Sequence, residues 1–489
     1  MNIFREEDIT LLDNEIESIK DKIESITLEK FDPTLKEMKA VMKIVLDFVK
    51  RKKRKIYGGF AMNELIKHKN PKDAFYKEDG KPADIDFYSP DPIRDMHELC
   101  NDIFEAGYTK VQGKEAMHPE TYKIFVNRQD YVDISYIPYN VYKTTPFIEV
   151  NGLYLTHPSF IKIDYFRMFS DPMTSYWRIE KSYRRFNLLD QNFPSEKIDK
   201  PLKKKEASTE IKDVLMELFK VMQDDLDIIY VGDLYYNYLV DEVKPKNKNI
   251  KKVPMTNFDV ILKDYKVHGN NIFKKMREKY GDKISITEYY PFFQFRDYRF
   301  EMYYGDNIIL KAQGHNKKCI PFRMVNPKLF DIGEAPKKDI FIAMGSFDRN
   351  ILDIMVNKQY YKTNKNKEMM YYYKTMFSHI LEMRDEYFKK NNKNILDNTL
   401  FQQFLIECIG EVVTLDQERQ EIIEKRKKKR QPFFYTYEPS NKVTDGSNVG
   451  YKFFNSSGNI ISNPRNLRLG ETIPLSDSDD DTTDDEFIN

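Results

Sequence analysis

The chain has 489 residues, enough for two or three domains, with 33 Tyr and 34 Phe to build large cores. It contains no run of eighteen apolar residues, and its first residues lack the apolar core of a signal peptide, so neither a membrane span nor a leader is expected. The three cysteines and seven histidines are scattered, which argues against zinc spacing and a disulfide framework and suits a reducing compartment.

The formal net charge of +1 conceals a division. The last fourteen residues carry seven acidic side chains and no basic one, so the rest of the chain stands at +8. Basic residues cluster at Arg51–Lys55, Lys203–Lys205, Lys244–Lys252 and Lys425–Arg430. Such clusters can neutralise nucleic-acid phosphate, or simply form solvated faces. The first cluster leads directly into a glycine turn.

In chain order, residues 6–29 predict a charged helix that ends at Pro33. Leu35, Met38, Met42, Val45 and Val49 recur at helical spacing and predict a second helix. Lys55-Ile56-Tyr57 is a short strand, and Gly58-Gly59 then open an amphipathic helix with Phe60, Ala61, Leu65 and Ile66. Paired glycines let backbone approach a phosphate and aim helix N-terminal N–H groups at it. Asp84-Ile85-Asp86 follows on a predicted strand. Side chains alternate there, so both carboxylates point one way while Ile85 enters the core. Two carboxylates converging on one point call for a cation, and hard oxygen ligands suit Mg2+ or Mn2+. Asp91-Pro92 starts the next helix and Gly107 ends it. Tyr122–Val126 and Tyr131–Tyr136 predict neighbouring strands, the second bringing Asp133 and Ser135 to one face. Three carboxylates suffice for a two-metal site, with Asp84 and Asp86 bridging and Asp133 on the metal that activates an incoming 3′-hydroxyl.

The order Gly-Gly, Asp-x-Asp, then a third Asp resembles the DNA polymerase β-like nucleotidyltransferases. More narrowly, IYGGFAMNEL, PADIDFYSP and DYVDISYIP resemble the poly(A) polymerase catalytic subunits of large cytoplasmic DNA viruses, the giant-virus polyadenylate synthases above all. One departure is visible: most of the superfamily has Gly-Ser at the phosphate turn, where this chain has Gly59-Phe60. The resemblance implies an α/β (α+β) palm with flanking helices and template-independent addition of AMP from ATP to the 3′ end of mRNA. It implies two Mg2+ or Mn2+ ions at Asp84, Asp86 and Asp133, and Gly58 and Gly59 at the nucleotide. It further implies an RNA 3′ end as partner, no membrane, and action in the host cytoplasm or packaging in virions. It allows a homodimer or a processivity partner without identifying either. The rival readings are a uridylyl- or CCA-adding enzyme, or a non-catalytic RNA-binding scaffold.

His157–Leu189 is predicted largely helical. By the same resemblance, its Arg178 and Lys181 are candidates for the triphosphate and Tyr183 for base stacking, set against the reading of an ordinary surface helix. Farther on, Ile228–Tyr235 echoes Lys55–Met62, and Asn257-Phe258-Asp259 falls where Asp84–Asp86 would. Gly232 aligns with Gly59, each lying 27 residues before its aspartate. One glycine is missing, Asp233 brings negative charge to the turn, Asn257 replaces an aspartate, and only Glu301 or Asp306 offers a third carboxylate. This predicts a second, catalytically degenerate nucleotidyltransferase-like domain, with chance similarity as the alternative. The expected domains are thus 1–50 (helices packing on the catalytic domain), 51–190 (catalytic), 191–424 (degenerate) and 425–489 (a basic, then acidic, largely flexible tail). An aromatic patch of Phe433, Phe434, Tyr435 and Tyr437 is expected to dock on the body.

Overall fold

The structure, a computed structural model, describes residues 4–30, 34–76, 80–315, 318–326, 340–429 and 435–441, with short extended pairs at 453–454, 460–461 and 472–473. The chain divides into two compact units. The first comprises Met1–Tyr136, Phe147–Thr156 and Glu421–Ser462, and the second Ile137–Pro146, His157–Gln420 and Asn463–Asn489. The acidic end, Pro33, Phe433 and Phe434 lie outside the described residues.

In the first unit, helix α1 (Glu6–Lys30) is followed by α2 (Leu35–Lys52). A capping box starts α2: the Glu37 N–H donates to Thr34 Oγ1, and the Thr34 N–H donates to the Glu37 carboxylate. These satisfy donors that no helical carbonyl can reach. Its apolar stripe, Met38, Val41, Met42, Val45, Phe48 and Val49, is buried, as the helical spacing predicts.

The central sheet is built from β1 (Lys55–Tyr57), β2 (Ile85–Ser89), β3 (Val111–Glu115), β4 (Thr121–Val126), β5 (Gln129–Tyr136), β6 (Phe147–Val150) and β7 (Leu153–Thr156). Helix α3 (Gly58–Lys69) follows β1, and α4 (Pro92–Glu105) follows β2. The strand order is β3-β4-β5-β2-β1-β7-β6, and the pair Thr436–Tyr437 adds an eighth strand beside β3. Strand β2 is parallel to β5 and β1 to β7, while β1 and β2 are antiparallel. Alternation sets the register: Ile85 and Phe87 on β2, with Val132 and Ile134 on β5, are fully buried. The same alternation turns Asp86 and Asp133 to the opposite face.

Among the described residues beyond 424, 425–428 are helical and Thr436–Tyr437 form a short strand. Helix α14 (Leu415–Lys428) spans position 424 and includes Lys425–Lys428 of the basic cluster. Arg426 is buried and makes two hydrogen bonds, of 2.7 and 2.9 Å, to the Glu115 carboxylate on β3. Tyr435 and Tyr437 do dock: His97 stacks on Tyr437 at 3.8 Å between ring centres.

The second unit holds the helices α5 (Tyr139–Thr144), α6 (Pro158–Phe169), α7 (Pro172–Ser175), α8 (Ile179–Asn192) and α9 (Thr209–Met222) ahead of its sheet. The helical stretch expected over 157–189 is therefore broken, by Ser170-Asp171-Pro172 and by a 3-10 turn at Tyr176–Arg178. Its sheet comprises β8 (Ile228–Val231), β9 (Phe258–Leu262), β10 (Ile284–Tyr289), β11 (Arg299–Tyr304), β12 (Asn307–Gly314), β13 (Ile320–Val325), β14 (Ile342–Gly345) and β15 (Cys408–Ile409). The order is β15-β13-β14-β8-β9-β12-β11-β10, with Thr472–Ile473 paired to β10 as the ninth strand. Helices α10 (Asp233–Val243) and α11 (Tyr265–Tyr280) pack on it, while α12 (Phe347–Thr363) packs on α6 and α13 (Lys367–Asn391), and α13 also on α10. Helix α12 is buried through Ile351, Leu352, Ile354, Met355 and Val356, the pattern of a helix enclosed on every side.

One expectation is overturned here. Cys319 and Cys408 form a disulfide, with Cα atoms 5.3 Å apart. The antiparallel pairing of β13 with β15 places Pro321 against Cys408 and so brings the two thiols together. A separation of 89 residues hides this pairing in the sequence.

Candidate active site

The site of the first unit grows from a turn. Tyr57 at the end of β1 is extended, and Gly58, the first residue of α3, then adopts φ +69°. A side chain rarely tolerates that backbone. There is also no room for one, since a Cβ at position 58 would lie 2.1 Å from the Asp86 carboxylate. Gly58 is thus the residue that lets β1 turn against the carboxylate. Gly59 continues with ordinary helical backbone in the first turn of α3.

Asp86 faces this turn because Tyr57 pairs with Asp86 across β1 and β2. On its other side Asp86 pairs in register with Asp133 of β5. Asp84 sits one residue ahead of β2 rather than within it, and is exposed. The three carboxylates interact electrostatically. Burial, then the charges of Asp133 and Asp84, push the Asp86 carboxyl well above its ordinary value. Burial also raises Asp133, against the pull of Lys123. Behind the carboxylates, Tyr57 and Ser135 hydrogen-bond at 2.6 Å, and Ser135 meets Thr121 at 3.1 Å.

Lys123 is a site residue that sequence reasoning did not single out. It stands opposite Asp133 on β4, and its Nζ donates to Asp133 and to Asp130, each at 2.6 Å. Burial lowers its pKa, but these bonds outweigh that and lift it to about 12. The signal was the alternation of β4, which sends Lys123 to the same face as Asp133.

The donor set fits a hard divalent cation. It is all carboxylate oxygen, crowded enough that Asp86 and Asp133 resist ionising together, with Lys123 as the counter-charge hydrogen-bonded to Asp133. Another acidic group, Asp225, Asp227 and His268 in the second unit, has its ligand atoms within 4.8 Å of one another. It is closed by its own contacts, His268 to Asp225 at 2.8 Å and Lys263 to Asp227 at 3.4 Å.

The Arg51–Lys55 cluster proves to be structural. Arg51 pairs with Asp102, Lys52 with Glu98 and Arg54 with Asp95, all on α4. Lys55 is buried, its pKa lowered to about 8 by that burial. Arg178, Lys181 and Tyr183 fall in the second unit, exposed in the 3-10 turn and the first residues of α8, with the Arg178 guanidinium 4.3 Å from the Trp177 ring.

The second unit repeats the frame with a corrected alignment. Gly232 has φ +70°, and a Cβ there would lie 2.8 Å from the Asp259 carboxylate. Val231 pairs with Asp259 as Tyr57 does with Asp86, so Gly232 matches Gly58, not Gly59. Asp233 therefore takes the place of Gly59. The third position is neither Glu301 nor Asp306: Asp259 pairs in parallel register with Lys311 of β12, as Asp86 pairs with Asp133. Glu301 lies opposite Lys311, just as Lys123 lies opposite Asp133. The carboxylate and the lysine have changed places. Buried Asp233 contacts Lys204 and accepts a 2.7 Å hydrogen bond from the Tyr372 hydroxyl.

Two family models match this geometry-bearing sequence: "Poly(A) polymerase catalytic subunit" over residues 43–175, and the C-terminal part of the APMV poly(A) polymerase catalytic subunit over 192–471. A chain of Acanthamoeba polyphaga mimivirus assigned to the same role is 33% identical, the match covering 93% of this chain and 83% of that one. This chain belongs to the viral poly(A) polymerase catalytic subunits. The crystal structure of the Megavirus polyadenylate synthase superposes on this family member with a TM-score of 0.84 at 31% identity, covering 96% of this chain and 94% of that one. African swine fever virus chains assigned to the family are 28% identical over 175 residues, 34% of this polymerase chain and 36% of theirs. The polymerase is a polynucleotide adenylyltransferase, whose substrates are RNA and ATP.

Proposed function

We propose that the first unit performs the transfer and that Asp84, Asp86 and Asp133 are its metal-holding residues. The observation that carries this is the alignment of Gly58, Asp86 and Asp133 on three adjoining elements, with Asp86 between the turn and the third carboxylate. The RNA 3′-hydroxyl oxygen forms a bond to the α-phosphorus of ATP, the bond from that phosphorus to the bridging oxygen breaks, and pyrophosphate leaves. A pair of Mg2+ or Mn2+ ions held by the three carboxylates would supply Lewis-acid charge to the attacking and leaving oxygens.

The chain's own residues do the rest. The Gly58 turn leaves the first N–H groups of α3 open toward phosphate, which replaces the hydroxyl contact that Gly59-Phe60 forgoes. Lys123 keeps Asp133 oriented and compensates its charge before a cation arrives. The Tyr57–Ser135–Thr121 chain fixes the strand ends that carry Asp86 and Asp133. Catalysis then rests on positioning and on charge set in advance.

The test is extension of end-labelled RNA with Mg2+ or Mn2+ and each nucleoside triphosphate in turn. Long tails from ATP alone are expected, and they should vanish when Asp86 becomes Ala. Equal use of UTP or CTP would favour the uridylyl- or CCA-adding reading. No extension with any triphosphate would favour the scaffold reading.

A further inference from the structure

The second unit keeps a cavity where the first keeps its active site. It encloses about 550 Å³, within the range of small-ligand pockets, and larger than a lone phosphate requires. Its floor is the pseudo-site: Asp233, Asn257, Asp259 and Lys311 all line it. Lys203, Lys204 and Lys205 border one side, and Tyr372 and Tyr373 from α13 another. Leu202, Pro254 and Met369 add apolar wall. Tyr373 is fixed by parallel stacking on Tyr361, with ring centres 5.7 Å apart.

The charges on this floor rule out a copy of the first site. One carboxylate has become an amide, Asn257, which donates to Asp259 at 3.1 Å. Another has become an ammonium, Lys311. The remaining Asp259 thus faces a fixed cation where Asp86 faces a carboxylate. Asp233 is already engaged by Lys204 and Tyr372. The facing carboxylate pair of the first unit is gone, although exposed Glu368 of α13 also borders the cavity, and cationic groups line it at two depths, Lys311 in its floor and Lys203 and Lys205 exposed at its edge.

We infer that this cavity binds a nucleoside phosphate without metal, either as free nucleotide or as one unit of an RNA strand. The phosphate meets Lys203 and Lys205, and the nucleoside lies against the tyrosines and the apolar wall. Lysine ammonium groups supply the positive charge that metal supplies in the first unit. The site is a binding site and not a second centre of transfer, because Asp259 faces Lys311 where Asp86 faces a second carboxylate.

The test uses the full chain in EDTA, with binding measured by calorimetry for ATP and separately for a short oligoadenylate. One equivalent of metal-free binding is expected. The double substitution Lys203→Glu with Lys205→Glu should weaken it at least tenfold. Lys389→Glu with Lys390→Glu is the charge-matched control. That pair lies in the last turn of α13, whose first turn lines the cavity, so it stands about 30 Å away along the helix axis. It should leave binding within twofold, as should Asp84→Asn with Asp86→Asn, which reports on the first unit. Binding of ATP assigns the site to free nucleotide, and binding of oligoadenylate alone assigns it to the RNA strand. No binding of either in EDTA overturns the inference, as does equal weakening by both lysine pairs. Because polymerisation is absent in EDTA, this outcome is independent of whether the three aspartates catalyse.

Discussion

The two units place the same backbone turn against different chemistry. A glycine at φ +69° or +70° lets a short strand swing beside an aspartate of the antiparallel neighbour, and that aspartate has a parallel strand on its other side. In the first unit the parallel strand brings Asp133, and Lys123 stands behind it. In the second it brings Lys311, and Glu301 stands behind. The cross-strand pair keeps one charge of each sign while the order reverses. The pairing therefore preserves the charge balance of the sheet, but turns a carboxylate facing a carboxylate into a carboxylate facing an ammonium. The exchange lies on the face opposite the apolar one that sets the register, and buried Glu301 is satisfied there by hydrogen bonds from Arg299, Tyr289 and Tyr303.

The sharpest way to break this comparison is to remove the aspartates one unit at a time. Asp84→Ala, Asp86→Ala and Asp133→Ala should each lower kcat/KM by about a thousandfold, the scale of losing several kcal/mol of transition-state charge. Asp259→Ala should leave turnover close to wild type. Primer extension over a range of ATP concentrations measures both, and comparable losses in a folded Asp259→Ala protein would mean two active centres.

The glycines should separate next. Gly58→Ala forces a Cβ onto the Asp86 carboxylate and pays about 1–2 kcal/mol for left-handed backbone. Activity should fall at least tenfold per folded molecule. Gly232→Ala carries the same backbone strain and should lower the melting temperature with turnover unchanged. If Gly58→Ala extended RNA normally, the turn would have no place at the site.

Reduction of Cys319–Cys408 should act on the second unit alone. Loss of a cross-link of this kind removes about 2–4 kcal/mol. Melting with and without reductant, followed by hydrogen exchange, should show lost protection in β13 and β15 while β1, β2 and β5 keep theirs.

The smallest expected effect is a pH dependence. Burial raises the Asp259 carboxyl from 3.8 to about 6 in the folded chain. A group raised on folding contributes stability that is complete below its unfolded value and is lost as pH rises through the folded one. The second unit should thus lose stability between pH 3.8 and about 6. Asp259→Asn should flatten that portion of the melting-temperature profile, and an unchanged slope would show that Asp259 is not its source.

Much of the first site was legible because it is local. Gly58, Asp84 and Asp86 fall within one strand–helix–strand passage, and apolar alternation on either side of Asp133 fixes which way it points. Lys311 was not legible, since its match to Asp133 depends on a parallel register between strands some fifty residues apart, and alternation cannot count registers across strands. The one-residue error in aligning Gly232 has the same origin. It followed sequence distance to the aspartate, whereas the pairing of Val231 with Asp259 settles the match. The disulfide and the Glu115–Arg426 pair were hidden for a plainer reason, being contacts across 89 and 311 residues. The basic cluster at 51–55 misled because a charge run does not show which carboxylates α4 will offer it.

The Glu115–Arg426 pair also bears on the order in which the molecule is made. Strand β3 lies next to the edge of the first-unit sheet, and its outer neighbour, Thr436–Tyr437, comes from the far end of the chain. Between synthesis of Glu115 and of its counter-ion the ribosome adds 311 residues, which takes about 15–60 s at ordinary elongation rates. Throughout that interval β3 presents unpaired backbone and a carboxylate destined for burial. The sheet that holds the three aspartates is thus among the first parts of the protein to be translated and among the last to be finished.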